Sequence, residues 1–160
     1  MKRFHLSIAV TDLQRSVNFY TTLFAAAPDV LKQDYAKWML DDPRINFSLN
    51  ASERSNGVSH VGLQMDNMRE LAAIQERLLL AGQVTVEQPD AECCYSRSSK
   101  TWVRDPDNVA WEAFVTHGDT TQYGIDFVLE DSSAHSTESS DSPGCCKREA
   151  DASGPTRCCV

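Results

Sequence analysis

The sequence predicts an α+β fold built from two similar βαβββ modules and followed by a disordered, cysteine-containing tail, and three observations carry that prediction. Phe4-His5-Leu6-Ser7-Ile8-Ala9-Val10 and Ser59-His60-Val61-Gly62-Leu63-Gln64-Met65 both alternate in period two, as half-buried strands do. Each leads through an Asp into an amphipathic helix, and the two copies stand 55 residues apart with His5 and His60 at matching positions. Further along, Trp38, Asp41, Ile45, Phe47 and Ser48 match Trp102, Asp105, Val109, Trp111 and Glu112 at an offset of 64. The second copy therefore carries about nine extra residues between its helix and its Trp strand, and Cys93-Cys94-Tyr95 falls among them.

Taken in order, Phe4–Val10 forms the first strand, and Leu13, Val17, Tyr20 and Phe24 recur at helical spacing behind a Thr11-Asp12 cap. Strands near 30–34, 36–41 and 44–50 complete the first module, about residues 1–50, and the Ser-, Asn- and Gly-rich stretch from Leu49 to Gly57 links the halves. In the second module, about 57–118, the strand at Ser59–Met65 is followed by Met68, Leu71, Ile74, Leu78 and Leu79 on a helix after Asp66 that ends at Gly82. Strands near 84–88, 100–105 and 109–116 follow. Glu92, Tyr95 and Ser96 flank the cysteines, so the insertion reads as an exposed loop. One domain over 1–118 is expected, with 119–160 as a flexible tail, because residues 131–160 have too little apolar content to fold alone. The tail holds Cys145-Cys146 and Cys158-Cys159, so all six cysteines fall in adjacent pairs.

Composition narrows the function. With 160 residues and 41% hydrophobic content the chain can bury one core. A net charge of -8 and a pI near 4.9 argue against a nucleic-acid surface, which needs basic patches to neutralise phosphates. No apolar N-terminal leader and no run of roughly 18 apolar residues is present, so a cytoplasmic protein with no membrane partner is expected. A small-molecule ligand fits this balance, and monomer and homodimer are both compatible with it.

The alternation separates two faces. Phe4, Leu6, Ile8, Val10, Val61, Leu63 and Met65 should bury against the helices, while His5, Ser7, Ala9, His60, Gly62 and Gln64 face the other way. Small and polar groups there line a cavity rather than fill a core, and Glu112 joins them between Ala110 and Phe114. Two neutral imidazoles and a carboxylate on one face can hold a divalent first-row ion, and an inward Glu is costly unless paired or metal-bound. Fe(II), Zn(II) and Mn(II) all suit the set. The bland reading is a pair of satisfied strand histidines and a Glu paired with an Arg. Ser48, where a fourth carboxylate would close the site, leaves coordination positions free. Gln64, Tyr95 and Lys100 are candidates to adjust hydrogen bonding around it, and Phe47, Tyr95, Trp102 and Phe114 to bound the pocket.

Two neighbouring thiolates chelate a soft centre such as trivalent arsenic, Cd(II) or Hg(II). An arsenical bearing one methyl group has two exchangeable hydroxyls, so Cys93-Cys94 matches it in valence.

Taken together, His5 in its strand, Asn18-Phe19-Tyr20, Gly57-Val58-Ser59-His60, Cys93-Cys94-Tyr95, Trp102-Val103-Arg104-Asp105-Pro106-Asp107 and Trp111-Glu112 make residues 2–118 resemble the vicinal oxygen chelate superfamily. That superfamily includes glyoxalase, bleomycin and fosfomycin resistance, and extradiol dioxygenase proteins. The most specific resemblance is to its carbon–arsenic bond lyases and the related cadmium-induced proteins. It implies a lyase dependent on Fe(II) and dioxygen that demethylates methylarsonous acid, and extends to trivalent aromatic arsenicals, giving organoarsenical resistance. By the same resemblance His5, His60 and Glu112 are the catalytic iron ligands, and Cys93 and Cys94 bind the substrate. Two alternatives stand beside it. One is a cadmium- or arsenite-sequestering protein of the same fold; the other is another metalloenzyme such as a fosfomycin thiol transferase or a glyoxalase, although Ser48 weakens the last.

Overall fold

A computed structural model describes residues 2–53 and 56–124 of the chain. Strand β1 (Arg3–Val10), helix α1 (Leu13–Phe24) and strands β2 (Val30–Leu31), β3 (Tyr35–Asp41) and β4 (Arg44–Ala51) make the first module. The second repeats the order with β5 (Gly57–Met65), α2 (Met68–Leu80), β6 (Thr85–Cys93), β7 (Ser96–Arg104) and β8 (Ala110–Asp119). All eight strands join one mixed sheet in the order β2-β3-β4-β1-β5-β8-β7-β6. At its centre β1 and β5 run antiparallel, flanked by the parallel pairs β1–β4 and β5–β8. This is the α+β architecture of two βαβββ modules expected from the repeat.

The helices form where caps and apolar spacing agree. Asp12 caps α1 by accepting the Arg15 N–H at 2.9 Å. For α2 the cap is Asn67 rather than Asp66: its side chain accepts the Glu70 N–H at 3.1 Å, while Glu70 reaches back to the Asp66 N–H. Each helix covers its own half of the sheet. Val17, Trp38, Phe47 and Leu49 form one core with Tyr20 and Phe24 packed on it, and Met65, Leu71, Ile74, Ala113 and Val115 form the other. Leu49 and Leu71 are wholly buried, each contributing ~1.5–3 kcal/mol of transfer free energy. With the apolar faces spent on the helices, the opposite face of the sheet is left to the polar residues.

The structure corrects three sequence expectations. The insertion is not an exposed loop but the far end of a long β6–β7 hairpin in which Cys93 pairs with Ser96, and Cys93 is only 8% exposed. Ser96, Ser98 and Lys100 face a cavity instead of a packed core, so this half of β7 lacks the apolar alternation that marks a core strand. The two Trp residues are not equivalent either. Ser48 pairs with Ser7 and Lys37, whereas Glu112 pairs with Gly62 and Trp102. Ser48 and Glu112 therefore do correspond, but the counterpart of Trp102 is Lys37. Trp38 is fully buried beneath α1 with its indole N–H on the Ala26 carbonyl, and Trp102 faces the cavity. The third correction is β2, which shrinks to Val30–Leu31.

Strand β8 continues to Asp119, and the chain then returns along the hairpin tip. Thr120 donates its N–H to the Tyr95 carbonyl, Tyr123 accepts from the Cys94 N–H, and Gly124 bridges Cys93. The tail pairs Cys145-Cys146 and Cys158-Cys159 lie outside the described residues. Among the described residues no helix is long and apolar enough to cross a membrane.

Candidate metal centre and thiol pair

The concave face of the sheet brings His5, His60 and Glu112 together from β1, β5 and β8. The backbone carbonyl of Asn46, paired with His5 across β1–β4, lies 3.0 Å from His5 Nδ1. A proton on Nδ1 serves that carbonyl, which leaves the Nε2 lone pair for the site. His5 Nε2 stands 3.1 Å from His60 Nε2, and Glu112 Oε2 is 3.7 Å and 3.6 Å from the two. Ligand bonds of ~2.1 Å place neighbouring donor atoms roughly 3.0 Å apart at right angles and about 3.4 Å apart in a tetrahedron. The three donors thus fit a first-row divalent ion with adjustments of a few tenths of an ångström.

Close strand approach sets Glu112 in place. Gly62 lies opposite it in the β5–β8 pair, and a Cβ on Gly62 would stand 2.2 Å from the Glu112 carbonyl oxygen. Burial alone would raise the Glu112 carboxyl, but Lys100 foremost, with His5 and His60, holds it below the ordinary carboxylate range. Burial likewise lowers His5, against the opposing pull of Glu112. Neutral imidazole and ionised carboxylate are the forms that bind metal. Lys100 Nζ approaches Glu112 Oε1 to 2.5 Å, and despite its burial the lysine is held above its ordinary range by Glu112, Cys93 and Cys94.

Both thiols open onto the same cavity, about 120 Å³ in volume, as the three donors. Their sulfurs are 2.6 Å apart and are not joined in a disulfide, the separation exceeding a disulfide bond of ~2.05 Å. Cys94 (φ 57°) and Tyr95 (φ 61°) form the two-residue turn between β6 and β7. Such primed turns favour Asn-Gly because both residues take positive φ, and side chains other than Gly cost ~1–3 kcal/mol each there. The turn is held down from outside. Tyr95 donates its hydroxyl to Asp34 Oδ1 at 2.6 Å, and the rings of Tyr35, Tyr95 and Tyr123 pack edge to face or tilted within 6.3 Å.

The residues expected around the site are thus divided. Trp102 and Phe114 line the cavity, Phe47 lies in the first core, and Tyr95 clasps the turn. Gln64 accepts from Asn46 at 3.0 Å and reaches Thr116, one step from the donors. Sequence reasoning missed Tyr35, Asn46, Asn50 and Ser98 as lining groups. Asn46 and Asn50 flank Ser48 at period two, and that spacing was the available signal.

The chain matches the model of the Glyoxalase/Bleomycin resistance protein/Dioxygenase superfamily over residues 2–113 and belongs to that superfamily. It is 37% identical over 152 residues to the trivalent organoarsenical cleaving enzyme of Bacillus sp. (strain MD1), spanning 93% of this chain and 85% of that protein. It is also 30% identical over 125 residues to the cadmium-induced protein CadI of Mycobacterium tuberculosis (strain ATCC 25618 / H37Rv), spanning 78% and 82% of the two chains. A solved structure with the same fold is the substrate complex of homoprotocatechuate 2,3-dioxygenase from Brevibacterium fuscum, with a TM-score of 0.57 and 15% identity over 76% of this chain and 38% of that one. The resemblance read from the residues is borne out by these relatives.

Proposed function

We propose that this chain is a carbon–arsenic bond lyase that uses Fe(II) and dioxygen to convert methylarsonous acid to arsenite and formaldehyde. The observation that carries it is the shared cavity: a soft two-thiol chelate and a His-His-Glu set suited to a harder ion line one pocket. The relative named for cleaving trivalent organoarsenicals supports the same chemistry. Volume supports the smaller substrate, since a cavity of about 150 Å³ is what benzene occupies in an engineered core and this one is about 120 Å³.

The residues divide the work. Cys93 and Cys94 exchange with the two arsenic hydroxyls, releasing two waters and fixing the remaining carbon–arsenic bond toward the donors. Glu112 and the two histidines hold the ion, and Fe(II) there would supply the redox access to dioxygen that side chains lack. Trp102 and Phe114 give the site apolar walls. Positioning reactants in this way is the protein's main contribution. Methylarsonous acid and one dioxygen contain the atoms of one formaldehyde and one arsenous acid, so no external reductant is required.

The test is anaerobic Fe(II) reconstitution of the full chain, addition of methylarsonous acid and air, and measurement of arsenite and formaldehyde against a Glu112→Ala control. Equimolar products that vanish in the control are expected. Tight arsenical binding with neither product would overturn the lyase reading in favour of sequestration.

A further inference from the structure

Lys100 is the buried cation of the cavity. Its Nζ lies 2.5 Å from Glu112 Oε1 with both side chains nearly sealed from solvent, at 10% and 2% exposure. The rings of Trp102 and Phe114 flank it at 5.7 Å and 5.8 Å. The contact with Oε1 is a short ion pair, ammonium to carboxylate oxygen. The other oxygen of the same carboxylate, Oε2, is the one that faces both imidazoles, at 3.6 Å and 3.7 Å. The carboxylate is therefore divided between a lysine and a pair of histidines.

We propose that Lys100 is a positioning residue that occupies one oxygen of Glu112 so that the carboxylate offers only the other to a bound ion. Two imidazole nitrogens and a single oxygen leave three positions of an octahedral ion for exogenous molecules. With Lys100 removed, no other group among the described residues pairs with Oε1, so nothing would hold that oxygen back from the ion. Its binding would consume an open position. Lys100 also lies on β7 facing Phe114 across the β7–β8 pair, so its own backbone is fixed by the same strands that carry the donor. The cation acts against metal affinity, since it repels a divalent ion at close range, and in favour of access.

This inference rests on the proposed metal site, not on the identity of the substrate. The experiment compares the unchanged full chain with Lys100→Met and Lys100→Arg. Three readouts are taken: anaerobic Fe(II) affinity, nitric oxide binding to the Fe(II) protein followed by electron paramagnetic resonance, and kcat and KM for methylarsonous acid. For Lys100→Met we expect Fe(II) bound ~10-fold or more tightly, equivalent to about 1.4 kcal/mol. Nitric oxide binding should weaken, and kcat should fall ~10-fold or more with KM within about twofold. Lys100→Arg, which keeps a cation on Oε1, should restore nitric oxide binding, and it guards against a Met variant that folds poorly. Fe(II) affinity, nitrosyl signal and kcat unchanged in Lys100→Met would overturn the role of Lys100 while leaving the lyase reading intact. An unchanged chain that binds no Fe(II) would overturn both, and one that binds Fe(II) without cleaving arsenical would overturn the lyase reading alone, the first two readouts still deciding the role of Lys100.

Discussion

Replacing Gly62 by Ala adds one methyl group to a crowded strand pairing beneath the site. A Cβ at this position meets the Glu112 carbonyl oxygen at 2.2 Å, its carbonyl carbon at 3.1 Å and its Cβ at 3.2 Å. Ordinary carbon–oxygen contacts between strands are ~3.3–3.6 Å, so β5 and β8 must part by roughly 1 Å. The neighbour is backbone in the middle of a parallel pair and cannot swing aside. Overpacking of this kind costs ~1–3 kcal/mol of stability. The larger effect is on the donor: a shift of roughly 1 Å is half a metal–ligand bond, and misplacement on that scale lowers turnover ~100-fold. Urea denaturation of the metal-free chain and Fe(II) titration of the same samples read the two effects separately. Gly118→Ala is the control, because nothing lies within 4 Å of a Cβ there. A Gly62→Ala protein that matches Gly118→Ala in both stability and Fe(II) affinity would refute the close-approach argument.

Two further outcomes follow from the turn and the β7–β8 connection. Cys94→Asn places a residue suited to positive φ in the turn, so the unfolding free energy should rise by ~0.5–1 kcal/mol while arsenical affinity, measured by fluorescence or calorimetry, falls. A loss of stability together with unchanged affinity would contradict both assignments. Asp105 accepts from the backbone N–H groups of Val109 and Asp107 and from the Trp111 indole; the Val109 bond foremost holds its carboxyl below the ordinary range. A depressed folded-state value stabilises above the unfolded carboxylate range and is lost as pH falls through the folded value. Asp105→Asn should therefore be less stable than the parent at neutral pH, with the gap narrowing in acid.

The repeat made most of this architecture readable, because Leu6, Ile8, Leu63 and Met65, on the strands that carry His5 and His60, turn to the helix-packed cores, although Phe4, expected there too, is 41% exposed. The equivalence of Ser48 and Glu112 survived for the same reason. What failed lay where inward-facing residues meet a cavity instead of a core. Ser96 and Ser98 carry no apolar signal, so the start of β7, before Lys100, looked like loop and Cys93 looked exposed. The Trp38–Trp102 match failed because a shared residue type does not fix register: a one-residue difference in the hairpins sends one indole into the first core and the other into the cavity. Lys100 was legible as a nearby charge, but its grip on one oxygen of Glu112 is a matter of tertiary distance.

The three donors do not come from one half of the chain. His5 stands on β1, and His60 and Glu112 stand on β5 and β8, while the halves adjoin in the sheet through the single β1–β5 seam. An ion gripped by all three would act as a rivet across that seam, adding about 2.7 kcal/mol at a hundredfold excess over its Kd. Metal supply would then govern the integrity of the vessel as well as its reactivity, and a starved chain would be a looser cup before it was an idle one.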